Sequence, residues 1–260
     1  NPQLKANPDK LKIGAVINIP DELSTAVTQP LPIPSNIHVN NPGSTGALGA
    51  ALAIELGSLS AKYETSGRGP GTVSTGSGDP GGVSYGSYQM ATKTGTVARF
   101  VSQPEFHWRS DFQDLSPGTA AFTTKWKLIA ATEPQAFQRA QHAFIKKTHY
   151  DLLVAKVIEE DGLDVNSRSR ALQNAVWSVA VQHGGASSIL HNAFTVIDLD
   201  PNLPNFDEAL IKAIYAERGR KRTDGKLAWF SKSSPAVQAG VAKRFQNELI
   251  DALKMLAVES

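Results

Sequence analysis

Leu48–Gln89, LGAALAIELGSLSAKYETSGRGPGTVSTGSGDPGGVSYGSYQ, joins an apolar-striped segment to a glycine-rich loop. Leu48, Leu52, Leu56, Leu59 and Tyr63 recur at helical spacing, which predicts a helix with one buried face ending at Tyr63-Glu64. Gly67, Gly69, Pro70 and Gly71 stop it. Glu64 is thereby placed in the last turn of a core helix, at the edge of whatever the loop encloses. Desolvation and the negative end of the helix dipole both favour its protonated form there. A carboxylic acid held protonated near neutral pH is what general-acid cleavage of a glycosidic bond requires.

The loop offers a second carboxylate. Asp79 lies in Gly-Ser-Gly-Asp-Pro-Gly-Gly, where turn chemistry keeps it out of a core. Val83–Gln89 then alternates as a short strand or hairpin arm, with Ser84 and Ser87 able to orient a water. An acid on a helix end facing a carboxylate on a hairpin is a two-carboxylate glycosidase layout. Gly-x-Gly spacings also serve phosphate binding, but that needs a strand before the loop and a helix N-terminus after it. Here the order is reversed, and the nucleotide reading fails.

Glu64-Thr-Ser-Gly, Gly78-Asp79-Pro-Gly and Gly86-Ser-Tyr-Gln89 resemble the active-site segment of the lysozyme superfamily, including goose-type lysozymes and lytic transglycosylases. The resemblance is strongest to lysozyme-like domains of phage endolysins and secreted antibacterial effectors. It covers residues 58–101 well and extends weakly to Trp177–Gly184 and Ile214–Arg218. It implies Glu64 as general acid, Asp79 as the hairpin carboxylate, and Ser84, Ser87, Tyr88 and Gln89 as substrate- or water-positioning residues. The goose-type pattern has a further Asp just after the Gln; Met90 and Ala91 stand here, which leaves the water-activating base open.

Composition sets the remaining bounds. A chain of 260 residues holds one large domain, or a domain with an appendage. A net charge of +2 argues against strong nucleic-acid binding and suits an anionic partner such as bacterial wall. The absence of cysteine excludes disulfides and thiolate metal sites. No run reaches transmembrane length. The chain opens without Met or a signal peptide, so a fragment or processed form is expected.

Residues 1–20, NPQLKANPDKLKIGAVINIP, resemble the end of a LysM glycan-binding module. Residues 21–45, with Pro30, Pro32, Pro34 and Pro42, read as an extended linker, leaving 46–260 as the catalytic domain. Further on, Thr92–Gln103 is expected to form a short helix packing Val97, Phe100 and Val101. Trp108 and Trp126 read as core, and Asp111 and Asp114 as solvated. A helix is expected from Thr132, with Thr132 and Gln135 as a capping box, running to Glu160 on the stripe Phe137, Ala140, Phe144, Thr148 and Leu152. Lys146, Lys147 and His149 fall on its solvated face. Ser167–His183 is apolar nearly all round, as a central buried helix would be. His183 reads as structural, and with no second histidine or carboxylate at ligand spacing no metal is assigned. Asn205 is expected to cap a helix over Asp207–Arg218, whose basic end reads as a solvated turn, and Ser234-Pro235 opens the last helix.

The fold expected is mainly α with a small β-hairpin lobe beside a cleft. The function expected is hydrolysis of the β-1,4 bond between N-acetylmuramic acid and N-acetylglucosamine, a bacteriolytic muramidase activity without cofactors. A lytic transglycosylase, a chitosanase-like glycosidase and a non-catalytic wall-binding module are the alternatives. Peptidoglycan strands are the expected partner of a monomer that neither binds nucleic acid nor inserts in membranes. An immunity protein is expected only if the chain is a toxin. Action in the periplasm or cell wall follows, by secretion, injection or phage delivery.

Overall fold

The computed structural model of the protein describes residues 55–64, 69–76 and 81–259. Leu48, Leu52, the LysM-like stretch, the linker and Asp79 lie outside the described residues. Helices dominate. In chain order they are α1 (Ser58–Glu64), α2 (Thr96–Val101), α3 (Ala120–Thr132), α4 (Pro134–Ile145), α5 (Asp151–Asp161), α6 (Arg170–His183), α7 (Ile189–Ile197), α8 (Phe206–Arg218) and α9 (Pro235–Glu259). Between α1 and α2, strands β1 (Ser84–Tyr85) and β2 (Met90–Ala91) pair antiparallel, Ser84 opposite Ala91 and Tyr85 opposite Met90. The mainly helical class with a small hairpin is therefore the observed one. Among the described residues no helix is long and apolar enough to cross a membrane.

The apolar run of α6 has the consequence its composition demands. Every residue from Ala171 to Ala180 is buried. Ser169 caps its start, its hydroxyl accepting the Leu172 N–H at 3.2 Å. Around α6 pack α1, α8 and α9. Two polar side chains of α6 serve this packing. Asn174 Oδ1 accepts from the Gly57 N–H at 2.9 Å and the Leu59 N–H at 3.3 Å, so a distant residue caps α1. Ser178 donates at 2.7 Å to Glu248 of α9.

That carboxylate is fully buried beside the equally buried Arg218 of α8, at 3.0 Å. Tyr215 donates to the same Glu248 oxygen, and Arg244 to the other. A buried ion pair survives only when its remaining hydrogen-bonding capacity is used, and Glu248 meets that condition with four donors.

A second part of the core is aromatic. Phe100, Phe106, Trp108, Phe112, Phe122, Trp126 and Phe137 pack ring on ring beneath α2, α3 and α4. Trp108 and Trp126 are thus core, as expected. Asp111 makes an exposed ion pair with Lys125.

Four expectations about helices and their caps are corrected. The helix before Glu64 begins at Ser58, because Gly57 at φ 87° interrupts the run; a Cβ there would stand 2.8 Å from Trp177. Thr132 ends α3 instead of capping α4; its hydroxyl donates back to Leu128 O, and Glu133 stands at the α4 start without a side-chain cap. The span to Asp161 is interrupted by a π-helical turn, Lys146–Tyr150. This turn rotates the following helix, so Leu152 is 57% exposed while Tyr150, Leu153, Val154 and Val157 are buried. Asn205 precedes α8 with no side-chain cap bond.

Candidate functional site

Glu64 is the last residue of α1, as its position before the glycine run predicts. Tyr63, beside it, donates to Asp251 of α9 at 2.7 Å, which ties the helix end to the core. The chain is next described from Gly69, and there it is pinned. Pro70 O accepts both the Trp126 indole N–H at 2.9 Å and the Gln141 amide at 3.1 Å. Thr72 O accepts the Gly86 N–H at 2.7 Å, the Ser74 N–H donates to Ser84 O at 2.9 Å, and the Ser84 N–H donates to the Ser74 hydroxyl at 2.8 Å. Residues 69–76 of the glycine loop therefore lie against the hairpin.

The hairpin turn Gly86–Gln89 is held by α4. Gln141 Oε1 accepts the Ser87 N–H at 3.0 Å, and Ser87 donates its hydroxyl to Gln138. Gly86 sits at φ 77°, where a Cβ would fall 2.2 Å from Gln141 Oε1; only glycine fits. Gln89 has φ 49° and donates its amide to Gly86 O at 3.0 Å, closing the turn upon itself. Tyr88 Oη lies 2.8 Å from His142 Nδ1.

His142 stacks on Trp177 of α6, ring centroids 4.5 Å apart. Burial pushes the His142 imidazole below its ordinary value, opposed by the Glu55 carboxylate and reinforced by Lys146. Tyr88, His142, Gln138, Arg139, Arg170 and Glu55 line one cavity of about 470 Å³ beside the start of α1. Two guanidiniums, a carboxylate and an imidazole beside the Tyr88 ring make this a polar recess of sugar size.

The structure thus brings Ser84, Ser87, Tyr88 and Gln89 together on one hairpin, next to the loop that leads from Glu64. Ser84 and Ser87 are buried, and Ser87 is committed to Gln138. Asp79, in the loop before Gly81, lies outside the described residues. Sequence reasoning passed over Gln138, Gln141 and His142. Their signal is a polar set at i, i+3 and i+4 beside the apolar stripe of α4. His183 is removed from the hairpin, packed against Trp229, Phe230 and Phe245, with its pKa pushed down to about 3 by burial, then by Arg218 and Arg244.

The family model for type VI secretion system spike protein VgrG3-like C-terminal regions matches residues 56–249. The type VI secretion system spike protein VgrG3 of Vibrio cholerae serotype O1 is 42% identical over 138 residues, 53% of this chain and 13% of that protein. The chain thus spans a small part of the length of this curated relative. These matches overturn the assignment of the domain to the lysozyme superfamily. That assignment rested on short motifs within residues 58–101, which a match running on to residue 249 outweighs. From before α1 into α9, the chain belongs to the VgrG3-like C-terminal family of type VI secretion spike proteins.

Proposed function

We propose that this domain cleaves the glycan strands of bacterial peptidoglycan, hydrolysing the β-1,4 bond between N-acetylmuramic acid and N-acetylglucosamine. The observation that carries the reading is the position of Glu64. It ends α1 and opens into a glycine loop that Gln141 and Trp126 pin beside the hairpin. A carboxyl group at a helix C-terminus resists ionisation, which suits a general acid. Glu64 gives its proton to the leaving oxygen, and Asp79 activates water or stabilises oxocarbenium charge. Tyr88 lines the recess that would take the sugar, and the buried Ser84 and Ser87, with Gln89, hold the hairpin behind it. Carboxyl groups roughly 6.5–9.5 Å apart give inversion, and about 5–5.5 Å retention.

Membership in a spike-protein family supports delivery of the domain by a type VI secretion system to the wall of another cell. Peptidoglycan is then the partner, no cofactor is required, and the producing cell needs an immunity protein. The domain acts as a monomer, without nucleic acid and without membrane insertion.

A second reading has Glu64 acting as both acid and base, which would make the protein a lytic transglycosylase. Mass spectrometry of fragments released from purified peptidoglycan separates the two. Reducing-end muramic acid products that fall roughly 10²–10⁴-fold in both Glu64→Gln and Asp79→Asn support the hydrolase. Anhydro-muramyl products lost only in Glu64→Gln identify the transglycosylase. No products from wild type, on intact or deacetylated glycan, leave a wall-binding module.

A further inference from the structure

Away from the hairpin, α5 and α7 end beside one open cavity of about 620 Å³. Glu160 and Asp161 close α5, Gly162 follows in the left-handed conformation, and His191 projects from α7. One ligand atom from each of Glu160, Asp161 and His191 lies within 4.8 Å of the others. Asp198 and Asp200, just past the end of α7, line the same cavity. Helix C-termini carry partial negative charge, so four carboxylates gathered at two of them form a strongly cation-seeking locus.

The acidic cluster alone would not specify a ligand. Asp161 does. Its side chain is only 3% exposed, and Oδ1 meets His191 Nδ1 at 2.7 Å. Its Oδ2 is buried with no hydrogen-bond partner, an arrangement that is costly for a carboxylate oxygen. A cation in the cavity would satisfy that oxygen. The donor set, one imidazole nitrogen and carboxylate oxygens, suits zinc and similar divalent transition ions better than calcium or magnesium, which take oxygen ligands alone.

We propose that Glu160, Asp161 and His191 form a zinc-class divalent-cation site that staples the end of α5 to α7. The pair Lys156–Glu160 lies at its edge, so the ion shares the Glu160 carboxylate with that ammonium or displaces it. Asp200 already accepts two bonds from Asn202 and completes the rim rather than the ligand set. The site is independent of glycan cleavage, and its test needs no activity.

The whole chain, stripped with EDTA, is titrated calorimetrically with ZnCl2, and separately with CaCl2 and MgCl2. One zinc per chain is expected, with visible absorption when cobalt replaces it. At free zinc 100-fold above Kd, the melting temperature should rise by roughly 5–10 °C. The solvent-facing substitutions His191→Ala and Glu160→Gln should each weaken binding about tenfold or more without unfolding the protein. Asp161→Asn tests the buried ligand. The proposal is overturned if zinc does not bind, if it binds both solvent-facing variants as tightly as wild type, or if calcium or magnesium binds in its place.

Discussion

Gln141 and Ser87, 54 residues apart, are joined by a 3.0 Å hydrogen bond from the Ser87 backbone N–H to the Gln141 side-chain carbonyl. The other half of the same amide donates to Pro70 O. One fully buried side chain thereby holds the hairpin turn and the glycine loop in fixed relation. Gln141→Ala leaves the Ser87 N–H without its acceptor and opens a void. A loss of about 2–4 kcal/mol in urea unfolding is expected, with lower activity on peptidoglycan.

Gly86→Ala tests the same contact from the opposite side. The added Cβ meets Gln141 Oε1 on a backbone that L residues rarely adopt. About 2–4 kcal/mol of destabilisation is expected from strain and clash together. Gly95→Ala, also at positive φ but with open space around it, should cost only about 1 kcal/mol.

The Glu248–Arg218 pair yields a non-additive result. Glu248→Ala strands a fully buried guanidinium and should cost about 3–5 kcal/mol. Arg218→Met leaves Ser178, Tyr215 and Arg244 still donating to the carboxylate and should cost less, about 1–3 kcal/mol. Glu248→Leu with Arg218→Met removes both charges and should be less damaging than the sum. A double-mutant cycle in urea measures the difference.

His183 should make the fold acid-sensitive. Its pKa, pushed down to about 3 in the folded state, lies below its unfolded value of about 6.5. The unfolded chain therefore binds the proton first. The contribution is fully present above pH about 6.5 and drains away as the pH falls toward 3, by up to about 1.4 kcal/mol per pH unit. His183→Leu should flatten this part of the stability profile between pH 7 and 5 relative to wild type.

What could be read in advance was whatever local pattern determines. The buried α6 follows from its unbroken apolar run, and the hairpin from Val83–Gln89 bounded by glycines. The ring cluster around Trp108 and Trp126 follows from residue type. Illegible features depend on partners far along the chain. Asn174 looks like an ordinary polar residue of α6 until Gly57 and Leu59 arrive at its side chain. Gln141 carries no local signal of its role, which appears only when the loop and hairpin fold over it. The pairing of His191 with Asp161 is likewise invisible, being 30 residues apart with no motif between. α3 hid because Phe122, Trp126 and Ile129 are interspersed with Thr and Lys in a weakly periodic run.

The π-helical turn at Lys146–Tyr150 has an implication for how the chain tolerates length changes. Such a turn accommodates one residue beyond the α-helical repeat, and each residue of an α-helix advances the side chains by about 100°. α4 and α5 therefore read two different frames along one continuous rod. Deleting one residue within 146–150 would let a single frame run through and would swing Tyr150, Leu153 and Val157 out of their pockets. The surplus residue acts as a phase shifter, allowing one half of the rod to address the aromatic core and the other to address α7, while the turn itself packs on α6.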